Sequence, residues 1–389
     1  MRPVSCLAVL SSLSCLSWWA VVGCGGASAP SEERAATQTA DLALRHLEHT
    51  SPHHRGAHRW RPHRPHHSET PDEGGALEDA GAPLEPADAG AAEPPAPSAD
   101  AGVPPEPTPE PLPRDIVAKS ALPLHGLAGD TVLSEAELWE RLAQSPAVCL
   151  GETHDVPAHH YAETRAIAEL AKRADGAGAK LAVGFEMFQR QYQDVLSAFA
   201  SGQIDEDTLL AGSEYATRWG YDFSLYRPML EEARELGLPA LALNMRTEIT
   251  RKIGRTGLDS LTESERAELP ELVLDDAEHQ AFIFGLFGVL PDHAAEFGLE
   301  DVYVAQTTWD ETMADSAARW LNATGAGAQI AILAGNAHCH ESAIPRRLTR
   351  RTQLAATSTA IVLQSELAAP DFSADGYDVL IVLEDTGSP

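Results

Sequence analysis

Beyond residue 115 the chain is punctuated by six short apolar runs: Ala147–Leu150, Leu181–Phe185, Ala240–Leu243, Ile330–Leu333, Ala360–Leu363 and Val379–Leu383. Each is continuous rather than alternating, the pattern of a strand covered on both faces. Helical periodicity fills most of the intervals, over Ser134–Ala143, Ala158–Arg173, Tyr226–Leu236 and Trp309–Leu321. Strands alternating with helices predict an α/β fold, a mostly parallel central sheet flanked by helices. Two further helical stretches, Gln189–Thr217 and Leu261–Leu299, are longer than a crossover needs. They predict a helical cap subdomain over the strand ends, inserted near 189–217 and 261–299. The apolar interval Phe282–Leu290 within it is either core or the lining of a pocket for a flat apolar ligand.

Polar residues close four consecutive runs. Glu152 and His154 follow the first in Leu150-Gly151-Glu152-Thr153-His154-Asp155, and Glu186 ends the second. Asn244 ends the third, and Asn336 and His338 follow the fourth in Gly335-Asn336-Ala337-His338. Taken singly, each suits a turn or a cap. Their recurrence at one topological point predicts a shared site at the carboxyl ends of neighbouring strands, where open α/β sheets place ligands. Gly151 and Gly335 let the backbone turn sharply or approach a ligand closely there.

Two imidazoles and two carboxylates (Glu152, His154, Glu186, His338) form a suitable donor set for Fe, Zn or Mn. With a metal-bound water, Glu152 or Glu186 would serve as the general base of a hydrolase. His159 and His160 lie in the first turn of the helix opened by Pro157, where one can face the site or both can be solvated. Asp310 and Glu311 read as helix-opening acids placed to suit the dipole. Cys149 and Cys339 flank the two turns; small buried thiols are the simplest reading, thiolate ligands or a disulfide the others. The chain contains no Walker loop, no Gly-x-Ser-x-Gly elbow and no His-Glu-x-x-His helix.

Composition changes the picture at the front of the chain. The net charge of -30 over 389 residues argues against a nucleic-acid partner. Arg2 precedes an apolar stretch from Val4 to Val22, which reads as a secretory signal over 1–24. Val21-Val22-Gly23-Cys24 resembles a bacterial lipobox, so Cys24 is the expected lipidation site and the chain is anchored rather than membrane-spanning. Gly25 lacks the acidic character of inner-membrane retention, which points to the outer membrane of a bacterial cell envelope. Residues 25–114 read as a disordered tether. Eight histidines lie between His46 and His67, and Ser68 to Pro113 then holds twelve prolines and eleven acids without a Lys or Arg. The His-rich half is either a solvated basic stretch or a metal scavenger. The folded domain is placed at 115–389.

With these residues in view, the chain resembles the ChaN-like haem-binding lipoproteins. Their wider superfamily takes in the Tiki proteases, TraB-type proteins and erythromycin-esterase-like enzymes. The resemblance rests on Leu150-Gly151-Glu152-Thr153-His154-Asp155 with His159-His160, and on Gly184-Phe185-Glu186-Met187-Phe188. Trp219-Gly220 before Tyr226, Leu243-Asn244, and Ala334-Gly335-Asn336-Ala337-His338 leading to Ile344-Pro345-Arg346-Arg347-Leu348 complete it. Ala337 departs from the pattern, where a second glycine is expected, as does Cys339-His340. The resemblance implies lipid anchoring, an α/β core with a helical cap, and a metal-site role for Glu152, His154, Glu186 and His338. It also implies haem or iron handling, with Tyr161, Tyr221 and Tyr226 as candidate axial phenolates. His154, His159, His160, Asn244 and Asn336 complete the candidate cofactor-binding set, and a homodimer is compatible with it. Three functions are therefore expected in order: an anchored haem- or iron-binding protein, a metal-dependent hydrolase, and metal scavenging by the tether.

Overall fold

A computed structural model describes residues 122–385, apart from 290, 292–293, 296–297 and 370–371. The expected signal, the lipobox at Cys24 and the tether lie outside the described residues. The sheet has eight strands, β1 (Leu124–Ala128), β2 (Thr131–Leu133), β3 (Ala147–Glu152), β4 (Lys180–Gln189), β5 (Ala240–Asn244), β6 (Ala328–Gly335), β7 (Ala356–Leu363) and β8 (Val379–Leu383). Their spatial order is β2-β1-β8-β7-β3-β6-β4-β5. All six expected runs are strands and pair in parallel; only β1 and β2 run antiparallel, as an added edge hairpin. That hairpin is the part of the sheet the apolar runs do not announce. β1 is five residues long with a glycine at its centre, and two of the three β2 residues are exposed.

Helices cover both faces. They are α1 (Glu135–Ala143), α2 (Pro157–Ala177), α3 (Gln193–Ala200), α4 (Glu206–Gly212), α5 (Tyr215–Arg218), α6 (Arg227–Glu235) and α7 (Thr247–Thr256). Then follow α8 (Glu263–Glu268), α9 (Ala277–Leu286), α10 (Glu300–Thr324), α11 (Asn336–Cys339), α12 (Ile344–Thr352) and α13 (Gln364–Leu367). β3 shows why the sheet needs two layers: Val148 and Leu150 join one apolar cluster, while Ala147 and Cys149 join the other. The pleat sends alternate side chains to opposite faces, and every residue of the strand is buried.

The two long intervals carry short helices: the first forms α3–α5, and the second α8 and α9 with non-helical chain over 269–276 between them. The boundary of α10 differs from expectation. It starts at Glu300, so Asp310 and Glu311 sit in mid-helix, fully buried, instead of opening it. Glu311 is buried because Arg350 and Arg351 of α12 reach it at 2.8 and 2.5 Å, with Arg347 at 3.4 Å. A carboxylate matched by three guanidinium groups is retained in a core that rejects a lone one.

Cys149 and Cys339 form a disulfide with Cα atoms 5.3 Å apart, which corrects the simpler reading of two inert thiols. Neither local sequence shows the pairing, because 190 residues separate them and only the β3–β6 contact brings them together. Closing so long a loop restricts the unfolded chain and stabilises the fold by about 2–4 kcal/mol. The double substitution of Cys149 and Cys339 by Ala is therefore expected to lower the melting temperature by roughly 5–15 °C. Calorimetry of the oxidised, reduced and substituted forms checks this, and an unchanged transition would refute it.

Candidate functional site

The polar strand ends converge because their strands are neighbours: β3, β6, β4 and β5 lie side by side in that order. In the β3–β6 register Glu152 stands opposite Gly335. Glu186 lies where β4 loses register against β5, between Phe185 and Gln189. Such an irregularity re-aims side chains and is frequent beside functional sites. Asn244 fixes this segment, its Nδ2 donating to the Glu186 carbonyl at 3.1 Å.

Two carboxylate–imidazole pairs result. In the first, His154 Nδ1 bonds Glu152 Oε1 in a very short contact. Nothing among the described residues hydrogen-bonds His154 Nε2, and the ring is 11% exposed. Trp219 meets that ring edge-on at 4.9 Å between centroids, and Tyr221 tilts against it at 5.0 Å. Both aromatics are half-buried. Burial pushes the His154 pKa down, but the Glu152 carboxylate outweighs it, with help from Glu186, and the net shift is upward.

In the second pair, His338 Nε2 lies 3.2 Å from Glu186 Oε1, while its Nδ1 bonds Asp310 Oδ1 at 2.6 Å. Glu186 Oε2 accepts the Gly335 backbone N–H at 2.8 Å. Behind Asp310, His279 Nε2 lies 3.0 Å from Oδ2, and Arg347 Nη2 donates to His279 Nδ1 at 3.0 Å. A guanidinium can only donate, so it fixes the lone pair of His279 at Nδ1 and leaves the Nε2 proton facing Asp310. Burial opposes a charge on His338, yet Glu186 and Asp310 together hold its pKa up at about 10. The reverse effect holds both acids below their ordinary range despite burial. His338 thus has a carboxylate at each nitrogen, an arrangement that favours its charged form.

Glycine is required at Gly151 and leaves room for the His154 ring at Gly335. A Cβ on Gly335 would stand 3.0 Å from His154 Cε1, and one on Gly151 only 2.6 Å from the Thr359 carbonyl and 2.7 Å from Asn336 Oδ1. Asn336 therefore packs over Gly151, with its Nδ2 3.5 Å from Thr153 Oγ1. His159 and His160 are buried, not solvated. His159 Nδ1 accepts the Thr153 N–H at 3.0 Å, and His160 Nε2 donates to the His154 carbonyl at 3.0 Å. Both hold the Thr153–His154 turn from below. Tyr226 is fully buried against His160, with its hydroxyl 3.5 Å from that same carbonyl. Tyr161 lies elsewhere, its hydroxyl accepting from Arg165 Nη1 at 3.0 Å. Of the three phenols, only Tyr221 stands beside the His154 ring.

The four residues expected to hold a divalent metal bond each other in pairs, and no group of three His, Cys, Asp or Glu donors forms a metal-binding cluster among the described residues. Asp310, His279 and Arg347 are the residues that the sequence pattern missed. Asp310 resembled a helix-opening acid, Arg347 entered only as part of the Ile344–Leu348 motif without a role, and nothing local distinguishes His279 from other helical positions.

The sequence matches the family described as haem-binding uptake, Tiki superfamily, ChaN, over residues 138–348. In structure the chain is similar to a ChaN of Campylobacter jejuni, solved with cofacial haem binding, at 15% identity and a TM-score of 0.53. The match covers 67% of this chain and 97% of that one. An erythromycin esterase mutant in its open conformation aligns at 14% identity and a TM-score of 0.38, over 64% of this chain and 79% of that one. In sequence, the chloroplastic protein RETICULATA-RELATED 5 of Arabidopsis thaliana is 26% identical over 132 residues, 33% of this chain and 18% of that protein. The match thus spans less than a fifth of the plant protein.

The paired charges set a pH window for stability. His338, raised from 6.5 to about 10, contributes stability that is full below its unfolded value and is lost as pH rises through about 10. Glu186 and Asp310, lowered from 4.5 and 3.8, contribute stability that is full above those values and is lost as pH falls below them. Denaturant unfolding across pH 3–11 is expected to show a plateau between these limits. Asp310→Asn should cost about 3 kcal/mol at pH 7, since it breaks a buried charge network. It should also move the alkaline limb to lower pH; a limb that stays in place would refute the His338–Asp310 pairing.

Proposed function

We propose, for a chain that belongs to the haem-binding uptake family of the Tiki superfamily, that the strand-end site takes haem as its cargo and that His154 meets the iron. The observation that carries this reading is the state of the His154 ring. One nitrogen is held by Glu152, the other is unengaged among the described residues, and two half-buried aromatic rings flank it. A ligating imidazole usually gives its second N–H to a carboxylate, which fixes the tautomer and orients the lone pair. Trp219 and Tyr221 offer apolar faces to a flat macrocycle, and Tyr221 adds a phenol that can serve as a second iron ligand. His338 stays outside this role because both its nitrogens are committed to carboxylates.

The surroundings of the site support an envelope location. A disulfide forms and persists where thiols are oxidised, outside the cytoplasm, and the Cys149–Cys339 bond lies directly beneath the site. Together with the lipobox residues Val21-Val22-Gly23-Cys24, this favours export followed by lipid anchoring, with the outer membrane as the destination.

Titration of the full chain with haemin, followed by visible absorbance, is expected to give a saturable Soret shift. His154→Ala should abolish it, whereas Tyr161→Phe should leave it intact. A wild-type spectrum indistinguishable from free haemin would overturn the reading, as would unchanged binding by His154→Ala. For the anchor, Cys24→Ala should move the protein from the membrane to the soluble fraction of lysed cells; retention on membranes would count against lipidation.

A further inference from the structure

We propose that Arg218 is the anchor for the carboxylates of the ligand seated at His154, and that Glu214 and Glu248 occupy it as place-holders. The proposal rests on the haem reading and names the part of the ligand that the rim of the site recognises.

The need for a cation follows from the charges already present. Apart from its imidazoles, the floor of the site is acidic, with Glu152, Glu186 and Asp310 all buried there. A ligand that carries carboxylates of its own is repelled unless a positive group at the rim compensates. Arg218 is placed to do so. It ends α5 immediately before Trp219, whose ring packs on His154. Its side chain is 16% exposed and reaches from the cap to the strand ends. Nη1 donates to Glu248 Oε1 at 2.5 Å and to Gln189 Oε1 at 3.5 Å, while Nε and Nη2 donate to Glu214 Oε2 at 3.0 and 2.7 Å. Gln189 ends β4, the strand that carries Glu186, and Glu248 lies in the first turn of α7, just beyond Asn244. The guanidinium also lies over the Tyr192 ring at 5.6 Å.

Each acid on Arg218 is 54% exposed, so solvent and salt screen its attraction to the guanidinium, although Glu214 also bonds Tyr192. An incoming carboxylate can take the same planar fork with two parallel hydrogen bonds. The backbone points the same way. Glu214 has φ 53° and ψ 32°, in the left-handed region that disfavours a non-glycine residue. Only Gln353 shares a positive φ among the described non-glycine residues. The strained Glu214 opens the single turn that delivers Arg218 and Trp219 together, and Gly220 at φ 96° closes the same segment before Tyr221. One short, tightly bent segment therefore supplies both the aromatic walls of the site and its rim cation.

The test compares haemin with its dimethyl ester, in which both carboxylates are blocked, by absorbance titration of the full chain. The wild-type protein is expected to bind haemin about tenfold tighter than the ester, the size of one charge-assisted contact. Arg218→Gln should remove that preference by weakening haemin alone. Glu248→Gln, which removes the competing charge at Nη1 while Glu214 keeps Nε and Nη2, should tighten haemin without affecting the ester. Equal binding of the two by the wild type would overturn the proposal, and so would an Arg218→Gln variant that weakens both alike, the mark of a purely structural role. If neither compound shifts the Soret band, the haem reading itself fails and this proposal falls with it.

Discussion

The parallel pairing of β3 with β6 is the constraint on which the site depends. It sets Glu152 opposite Gly335 and lets the His154 ring lie against a backbone that has no Cβ. The same pairing brings Cys149 within bonding distance of Cys339 and so fixes the α11 turn that carries Asn336 and His338. A slip of one residue would exchange the two faces of β3 and send its apolar side chains into the wrong layer. Register, core and site are therefore one specification.

Charge balance divides the site into two halves with different capacities. In the half around His338, two carboxylates flank one imidazole, and an arginine orients the histidine behind them. Both ring nitrogens of His338 are engaged there. In the half around His154, one carboxylate engages one ring nitrogen and leaves the other open beside Trp219 and Tyr221. The committed half supports the strand ends; the open half is where chemistry with a ligand can occur.

How much of this was legible in the sequence depended on whether the relevant contacts were local. The central strands read correctly because burial on both faces leaves an unbroken apolar run, as in Ile330–Leu333. The convergence of Glu152, Glu186, Asn244 and His338 was also readable, since each ends a strand and parallel strands end on one side. The roles of His159 and His160 were not. Whether an imidazole in the first turn of a helix is solvated or supports a loop depends on what packs over it, here the Thr153–His154 turn. Asp310 was hidden for a related reason, because an acid looks the same at a helix start and in mid-helix until the helix boundary is known.

The span of the disulfide bears on the order of events in the protein's biogenesis. A bond between residues 190 apart encloses β4, β5, all of the cap and α10 in a single covalent loop. It cannot close before residue 339 has reached the compartment in which thiols are oxidised. In an exported chain, everything from Glu152 to His338 must therefore cross the membrane before the turn behind His338 is locked. For an exported chain, loading on the cytoplasmic side would meet a site whose turn is not yet locked.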